Sequence, residues 1–245
     1  MNNNFSGRGI SVLMRKNVAY WFSVLLIGCS SSDAPQISDQ SYFPLRVGNF
    51  WVYQVNNTDI LRLTCNGKGE TISSYQLKEL ISDSTKNTEG GYTYTIHRYT
   101  RSDSTKPWSD LDTWTTRTNN NQVIVNEGNI SYVKFIYPLV EKTVWNINSY
   151  NNEQATYDTL KNLRQPYTLV NGKKIQNTIT ARRDNGEFII SHVKEVEVYA
   201  STIGLIYKER EELNYFNNTN DPCYAQQVVK NGNIYIQSLV SYGRQ

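Results

Sequence analysis

Residues 174–215 read KIQNTITARRDNGEFIISHVKEVEVYASTIGLIYKEREELNY, and this stretch decides the fold class. Three of its runs (174–182, 187–200 and 205–215) are rich in Val, Ile, Thr and Tyr, the residues that favour β-strands. Asn185-Gly186 separates the first two runs and is a strong hairpin signal. No run has the i, i+3, i+4 apolar spacing of an amphipathic helix. The segment therefore predicts consecutive antiparallel strands.

The same alternation of strand-like runs and polar turns extends from residue 50 to residue 241. Further hairpin signals are Glu89-Gly90-Gly91, Asn171-Gly172 and Asn231-Gly232. We expect a helical turn only near residues 221–227. The 18 Tyr, 7 Phe and 5 Trp supply large side chains for a core. We predict one antiparallel all-β domain at residues 42–245, built as a curved sheet, a barrel or a sandwich.

Residues 1–28 have the pattern of a secretory signal peptide. The apolar run VAYWFSVLLIG (18–28) follows Arg15-Lys16 and directly precedes Cys29. A run of about ten residues is typical of such signals and is too short for the roughly 20 residues of a transmembrane helix. The polar residues before Met14 have no role in this pattern, so the true start could be Met14.

The sequence LIGC (26–29) resembles the lipobox of bacterial, Gram-negative lipoproteins. The resemblance implies cleavage before Cys29, lipid on the Cys29 thiol and a membrane as partner, with several acyl chains needed for stable attachment. Ser30 in place of Asp implies sorting to the outer membrane. Residues 29–41 would then form the lipidated cysteine and a flexible tether. We expect a cell-envelope protein that faces either the periplasm or the cell exterior.

Two stretches of the domain resemble segments of uncharacterised envelope lipoproteins. Residues 42–53, YFPLRVGNFWVY, contain F-P-L-x-x-G-x-x-W-x-Y, the opening of those proteins. Residues 199–207, YASTIGLIY, are similar to a later segment of the same proteins. The resemblance implies a β-rich domain and carries over no catalytic residue.

Charge and metal-ligand content exclude several classes of function. Of the 25 Lys and Arg, three lie in residues 1–28, which leaves 22 against 22 Asp and Glu. A neutral chain lacks the basic stripe that phosphate binding needs, so we expect no nucleic-acid partner. With two His and no C-x-x-C or H-E-x-x-H motif, we expect no metal and no cofactor.

Cys65 and Cys223 remain once Cys29 is lipidated, and an oxidising compartment permits their pairing. A bridge would close a loop of about 158 residues and contribute about 4–5 kcal/mol in the chain-entropy model. The alternative is two buried free thiols.

Glu195 and Glu197 are the candidates for catalysis. They share one face of a predicted strand at about 6.6–6.8 Å, which overlaps the roughly 6.5–9.5 Å of inverting glycosidases. Alternating charge with Lys194, Lys208 and Arg210 is, however, typical of the outer face of a hairpin. We assign no catalytic residue and expect no enzyme; a glycan-active hydrolase using a carboxylate pair is the alternative.

Two tryptophans and three hydroxyl residues are candidates for binding and modification. Trp108 and Trp114 could stack on a ligand if exposed, or belong to the core if buried. Ser84, Ser104 and Thr159 each follow an Asp in a short motif that resembles an O-glycosylation acceptor of some Gram-negative envelopes.

The sequence predicts a non-catalytic envelope lipoprotein whose β domain binds a protein, glycan or lipid partner. An enclosed apolar interior would indicate a lipid or another hydrophobic ligand, and a flat sheet with exposed Trp a glycan or protein. A purely structural envelope component is a further alternative.

Overall fold

A computed structural model of the protein describes residues 37–119, 121–188 and 190–245. The predicted signal peptide (1–28), Cys29 and residues 30–36 of the predicted tether lie outside the described residues. Twelve β-strands follow a 3₁₀ turn at Asp39–Tyr42: β1 Asn49–Leu61, β2 Glu70–Lys86, β3 Tyr92–Arg101, β4 Ser109–Thr118, β5 Gln122–Glu127, β6 Ile130–Ile136, β7 Val144–Asn146, β8 Tyr157–Thr168, β9 Lys174–Glu187, β10 Ser191–Ala200, β11 Gly204–Tyr215 and β12 Val229–Arg244. Within the described ranges, no helix is long and apolar enough to cross a membrane.

The strands form one 12-stranded sheet in the order β6-β5-β4-β3-β2-β1-β12-β11-β10-β9-β8-β7. Every neighbouring pair is antiparallel, and β1 pairs with β12 at the centre of the sheet. The prediction of a single antiparallel all-β domain is confirmed.

The two edges of the sheet, β6 and β7, approach each other. The Val133 amide donates to the Ile147 carbonyl at 2.8 Å, and the Trp145 indole N–H donates to the Val133 carbonyl at 3.0 Å. These bonds satisfy edge groups that would otherwise be unpaired. The sheet is therefore nearly closed and barrel-like, with an enclosed interior.

Glu89-Gly90-Gly91 and Asn171-Gly172 lie in the β2–β3 and β8–β9 connections, as predicted. Asn185-Gly186 instead lies within β9, which ends at Glu187, and β10 begins at Ser191. The prediction of a turn at Asn231-Gly232 is wrong, because this pair lies inside β12 and opposite both Leu61 of β1 and Leu213 of β11. At residues 221–227 there are turns but no helix.

The folded unit begins at Ile37 and therefore includes residues 37–41 of the predicted tether. Tyr42 is fully buried, and the Asp39 carboxylate accepts a hydrogen bond from the Leu139 amide at 2.9 Å. This turn is thereby fixed against the segment that precedes β7.

Both faces of β10 and β11 are covered. Phe135 and Tyr199 meet edge to face inside the sheet, with ring centroids 4.5 Å apart. On the opposite face, Tyr207 contacts Tyr167 of β8 at 5.6 Å, so the β8–β9 hairpin packs over the outside of these strands. Their apolar outer residues are therefore buried as well.

Candidate functional site

An apolar chamber of about 110 Å³ occupies one end of the interior. Its walls are aromatic and aliphatic side chains from opposite parts of the sheet, and the segment that enters β1 completes them. The main apolar wall residues are Phe43, Leu45, Trp51, Tyr53, Ile81, Ile96, Trp114, Val125, Tyr199 and Leu205. A concave apolar wall of this kind can bind a small hydrophobic group.

The two stretches that resemble envelope lipoproteins meet at this end of the chamber. The Trp51 indole N–H donates to the Ile203 carbonyl, and the Tyr53 hydroxyl donates to the Leu205 carbonyl at 3.2 Å. Gly204 has φ +97°, and a Cβ there would lie 3.3 Å from the Trp51 indole nitrogen. The stretch 42–53 can therefore pack against the stretch 199–207 only if position 204 carries a small residue.

A belt of charged side chains crosses the interior beside the chamber. Its side-chain exposures run from 7% to 19%. We call the following set the charge belt: Glu79, Arg98, Glu127, Lys134, Asp158, Arg183, Glu195, Glu197 and Lys208. It comprises five carboxylates and four cations, so it carries one carboxylate in excess when all are ionised.

Glu197 is the centre of the charge belt. Its carboxylate accepts from Lys134 at 3.0 Å, from Lys208 at 2.8 Å and from the Tyr199 hydroxyl at 2.6 Å. Burial alone would raise the pKa of Glu197, but the two ammonium groups outweigh it and hold the pKa well below its usual value. Burial likewise opposes the charge of Lys134, yet its pKa is raised because Glu127 and Glu197 favour the cation.

The ends of the charge belt are less well compensated. Arg183 bonds Asp158 at 2.9 Å and Glu195 at 3.1 Å, yet burial raises the pKa of Asp158 to about 6. Arg98 bonds Glu79 at 3.1 Å, and burial also raises the pKa of Glu79. The carboxylates at the ends therefore hold their charge less firmly than the one at the centre.

A second, polar cavity of about 160 Å³ lies on the other side of the belt. It shares Glu127, Lys134, Glu197 and Lys208 with the apolar chamber. The charge belt is thus a partition between an apolar and a polar space. A molecule in the chamber would contact aromatic walls on one side and charged groups on the other.

The prediction that Glu195 and Glu197 lie on an outer hairpin face is wrong. Both point into the interior, where Lys208 bonds them at 3.0 and 2.8 Å. Despite burial, the adjacent cations lower the pKa of each carboxyl. A general acid of a glycosidase needs a raised pKa, so neither Glu195 nor Glu197 has the environment of that acid.

The two candidate tryptophans are half-buried and occupy different sites. Trp114 lies under the Arg98 guanidinium at 3.6 Å and lines the apolar chamber. Trp108 lies under Arg101 at 4.1 Å, on the strand connection before β4. Only Trp114 therefore belongs to the candidate site.

The remaining candidate residues lie away from the chamber. Cys65 and Cys223 form a disulfide with a Cα–Cα distance of 5.8 Å, which joins the β1–β2 and β11–β12 connections. Ser104 is exposed in a loop, whereas Ser84 is half-buried in β2. Thr159 is half-buried within β8, between the buried Asp158 and Leu160.

Sequence reasoning missed most of the charge belt. One available signal was Tyr199, which shares the face of Glu195 and Glu197 and is too large and apolar for a solvated face. The opposite face, with Val196 and Val198, is equally apolar, so the pattern did not reveal which face is interior. The partners Glu127 and Lys134 come from strands distant in sequence, and no local motif marks them.

Among the described residues, no three His, Cys, Asp or Glu side chains are arranged to hold a metal ion. Fold and site together define an all-β protein with an enclosed interior that is apolar at one end and charged across its middle. The sequence matches no protein-family model, and no curated protein matches it.

A crystal structure of a Bacteroides fragilis protein, described as exported and as having a YmcC-like fold, is similar to this chain. The two sequences are 10% identical, and the match covers 82% of this chain and 98% of the Bacteroides chain, with a TM-score of 0.42. Likeness at these levels does not transfer a function from one chain to the other.

Proposed function

We propose that this protein is a non-catalytic envelope lipoprotein whose β domain binds a small amphipathic ligand in the apolar chamber. The observation that carries the proposal is the boundary inside the sheet, where an apolar cavity of about 110 Å³ ends at the charge belt. The chamber would take a short alkyl chain or a single ring, and the belt would face its polar head. The volume restricts the ligand to a small one.

The cellular location of the protein is also part of the proposal. The signal peptide and the lipobox at 26–29 support export and lipid attachment through Cys29, and the disulfide suits an oxidising compartment. Cys29→Ser should yield protein without added lipid mass that no longer sediments with membranes. Unchanged mass and membrane association in this variant would contradict the anchor while leaving the binding proposal in place.

Binding can be tested with a series of neutral alkyl alcohols and isothermal titration calorimetry. Each buried methylene contributes about 0.8 kcal/mol, so affinity should rise roughly fourfold per added carbon and then level off once the chamber is full. Ile96→Phe should abolish binding because Ile96 lines the chamber and is 7% exposed. Val240→Phe is the matched control, since Val240 is 56% exposed on β12.

Two results would refute the binding function. One is the absence of saturable binding across the alcohol series. The other is equal affinity in the wild-type protein and the Ile96→Phe variant, which would place the ligand outside the chamber.

A further inference from the structure

We infer that the ligand of the apolar chamber carries a positively charged head, such as a primary ammonium group, held between Glu79 and Glu127. This inference rests on the proposed function, because it names the class of molecule that the same chamber binds.

The first support is the composition of the charge belt. Five carboxylates and four cations share the interior, and one cationic head would equalise them. Asp112, which also bonds Arg98 at 2.9 Å, adds a further carboxylate at its edge. Buried charges are stable only when compensated, so an anionic head would add to an existing excess, whereas a cationic head would remove it.

The second support is the pair of carboxylate oxygens that Glu79 and Glu127 have available for a further hydrogen bond. Glu79 uses Oε1 to accept from Arg98, and Glu127 uses Oε1 to bond Lys134 at 2.8 Å. No described residue bonds the second oxygen of either carboxylate. Both side chains line the chamber, so these two oxygens are available to an ammonium donor with three N–H bonds.

The third support is the mutual repulsion of these two carboxylates. Burial raises the pKa of Glu79, and the nearby charge of Glu127 raises it further against the opposing effect of Arg98. A cation between them would relieve this repulsion. The lysines beside them are already engaged: Lys134 bonds Glu127 and Glu197, and Lys208 bonds Glu195 and Glu197. An anionic head would have to compete with two carboxylates for each ammonium group.

Three probes share a six-carbon chain and differ in the head group, so they isolate its contribution to affinity. They are hexylammonium, hexanol and hexanoate, titrated calorimetrically at pH 7. We expect hexylammonium to bind at least tenfold more tightly than hexanol, and hexanoate at least tenfold more weakly. In the Glu79→Gln/Glu127→Gln variant, hexylammonium should lose its tenfold advantage over hexanol. Arg98 and Lys134 keep Asp112 and Glu197 as partners in this variant.

Glu70→Gln is the matched control, because Glu70 is 45% exposed and pairs with Arg62 away from the chamber. If hexanol binds and hexanoate binds as tightly as hexylammonium or more tightly, the cationic head is refuted and the proposed function stands. An ammonium preference that survives the double substitution would overturn the assignment to Glu79 and Glu127. If none of the three probes binds, both the inference and the proposed function fail.

Discussion

Lys208→Met should destabilise the protein far more than Glu197→Gln, although both remove one charge from the same buried contact. Lys208 bonds Glu195 at 3.0 Å and Glu197 at 2.8 Å, and its loss raises the carboxylate excess of the charge belt from one to two. Glu195 keeps Arg183 and Glu197 keeps Lys134 in this variant, so the expected cost of about 3–5 kcal/mol comes from leaving a second buried carboxylate uncompensated. Methionine keeps the shape of the side chain without restoring the charge.

Glu197→Gln acts in the opposite direction on the charge balance. Lys134 keeps Glu127 at 2.8 Å and Lys208 keeps Glu195 at 3.0 Å, so neither ammonium group is left without a carboxylate. The substitution removes the excess negative charge and weakens charge-assisted hydrogen bonds. We therefore expect a cost of only about 1–2 kcal/mol.

Urea unfolding at pH 7 measures both variants, with oxidised wild-type protein as the reference. The difference between the two unfolding free energies should be at least about 2 kcal/mol, which corresponds to roughly 4–8 °C in Tm for a domain of this size. The slope of free energy against urea should be the same for all three proteins, so that only stability is compared. Equal costs, or a larger cost for Glu197→Gln, would refute the carboxylate excess.

Three further perturbations have defined outcomes. Because the pKa of Asp158 is raised to about 6 in the fold and its unfolded pKa is near 3.8, the folded state binds the extra proton as pH falls. Wild-type unfolding free energy should thus gain about 1 kcal/mol from this group between pH 7 and 5; Asp158→Asn should lack that gain, and an identical pH profile would contradict the raised pKa. Replacing both Cys65 and Cys223 by Ser should cost about 4–5 kcal/mol in urea unfolding because the closed loop spans 158 residues, and a cost under about 1 kcal/mol would contradict this. Gly204→Ala should cost about 1–3 kcal/mol through its positive φ and reduce hexanol affinity by crowding Trp51, whereas wild-type stability would show that the backbone there is unstrained.

The fold class could be predicted from the sequence because period-2 patterns and turn residues are local signals. The Asn231-Gly232 error shows the limit of that reasoning. A strand bordered by β1 and β11 uses its backbone groups on both sides, so it continues through a dipeptide that would turn at a free edge.

The site was less predictable, since it depends on contacts between distant strands. Lys134 and Glu197 are 63 residues apart in sequence and bond each other across the interior. An alternation of charged and apolar residues usually marks one solvated face, yet β10 is covered on both sides. Only tertiary structure distinguishes a charge inside the sheet from one on its surface.

The central pairing of β1 with β12 has a consequence for how the chain reaches its native state. Asn49 and Arg244 lie opposite each other, so β1 lacks one neighbour until β12, the last strand of the sheet in chain order, has been synthesised. Contacts of such long sequence separation make folding slow and leave strand edges exposed in the meantime. A circular permutant would move the chain termini to the loop between β6 and β7 and join the residues after β12 to those before β1. The pairing of β1 with β12 would then be local in sequence. We expect that permutant to refold faster than the natural order of strands.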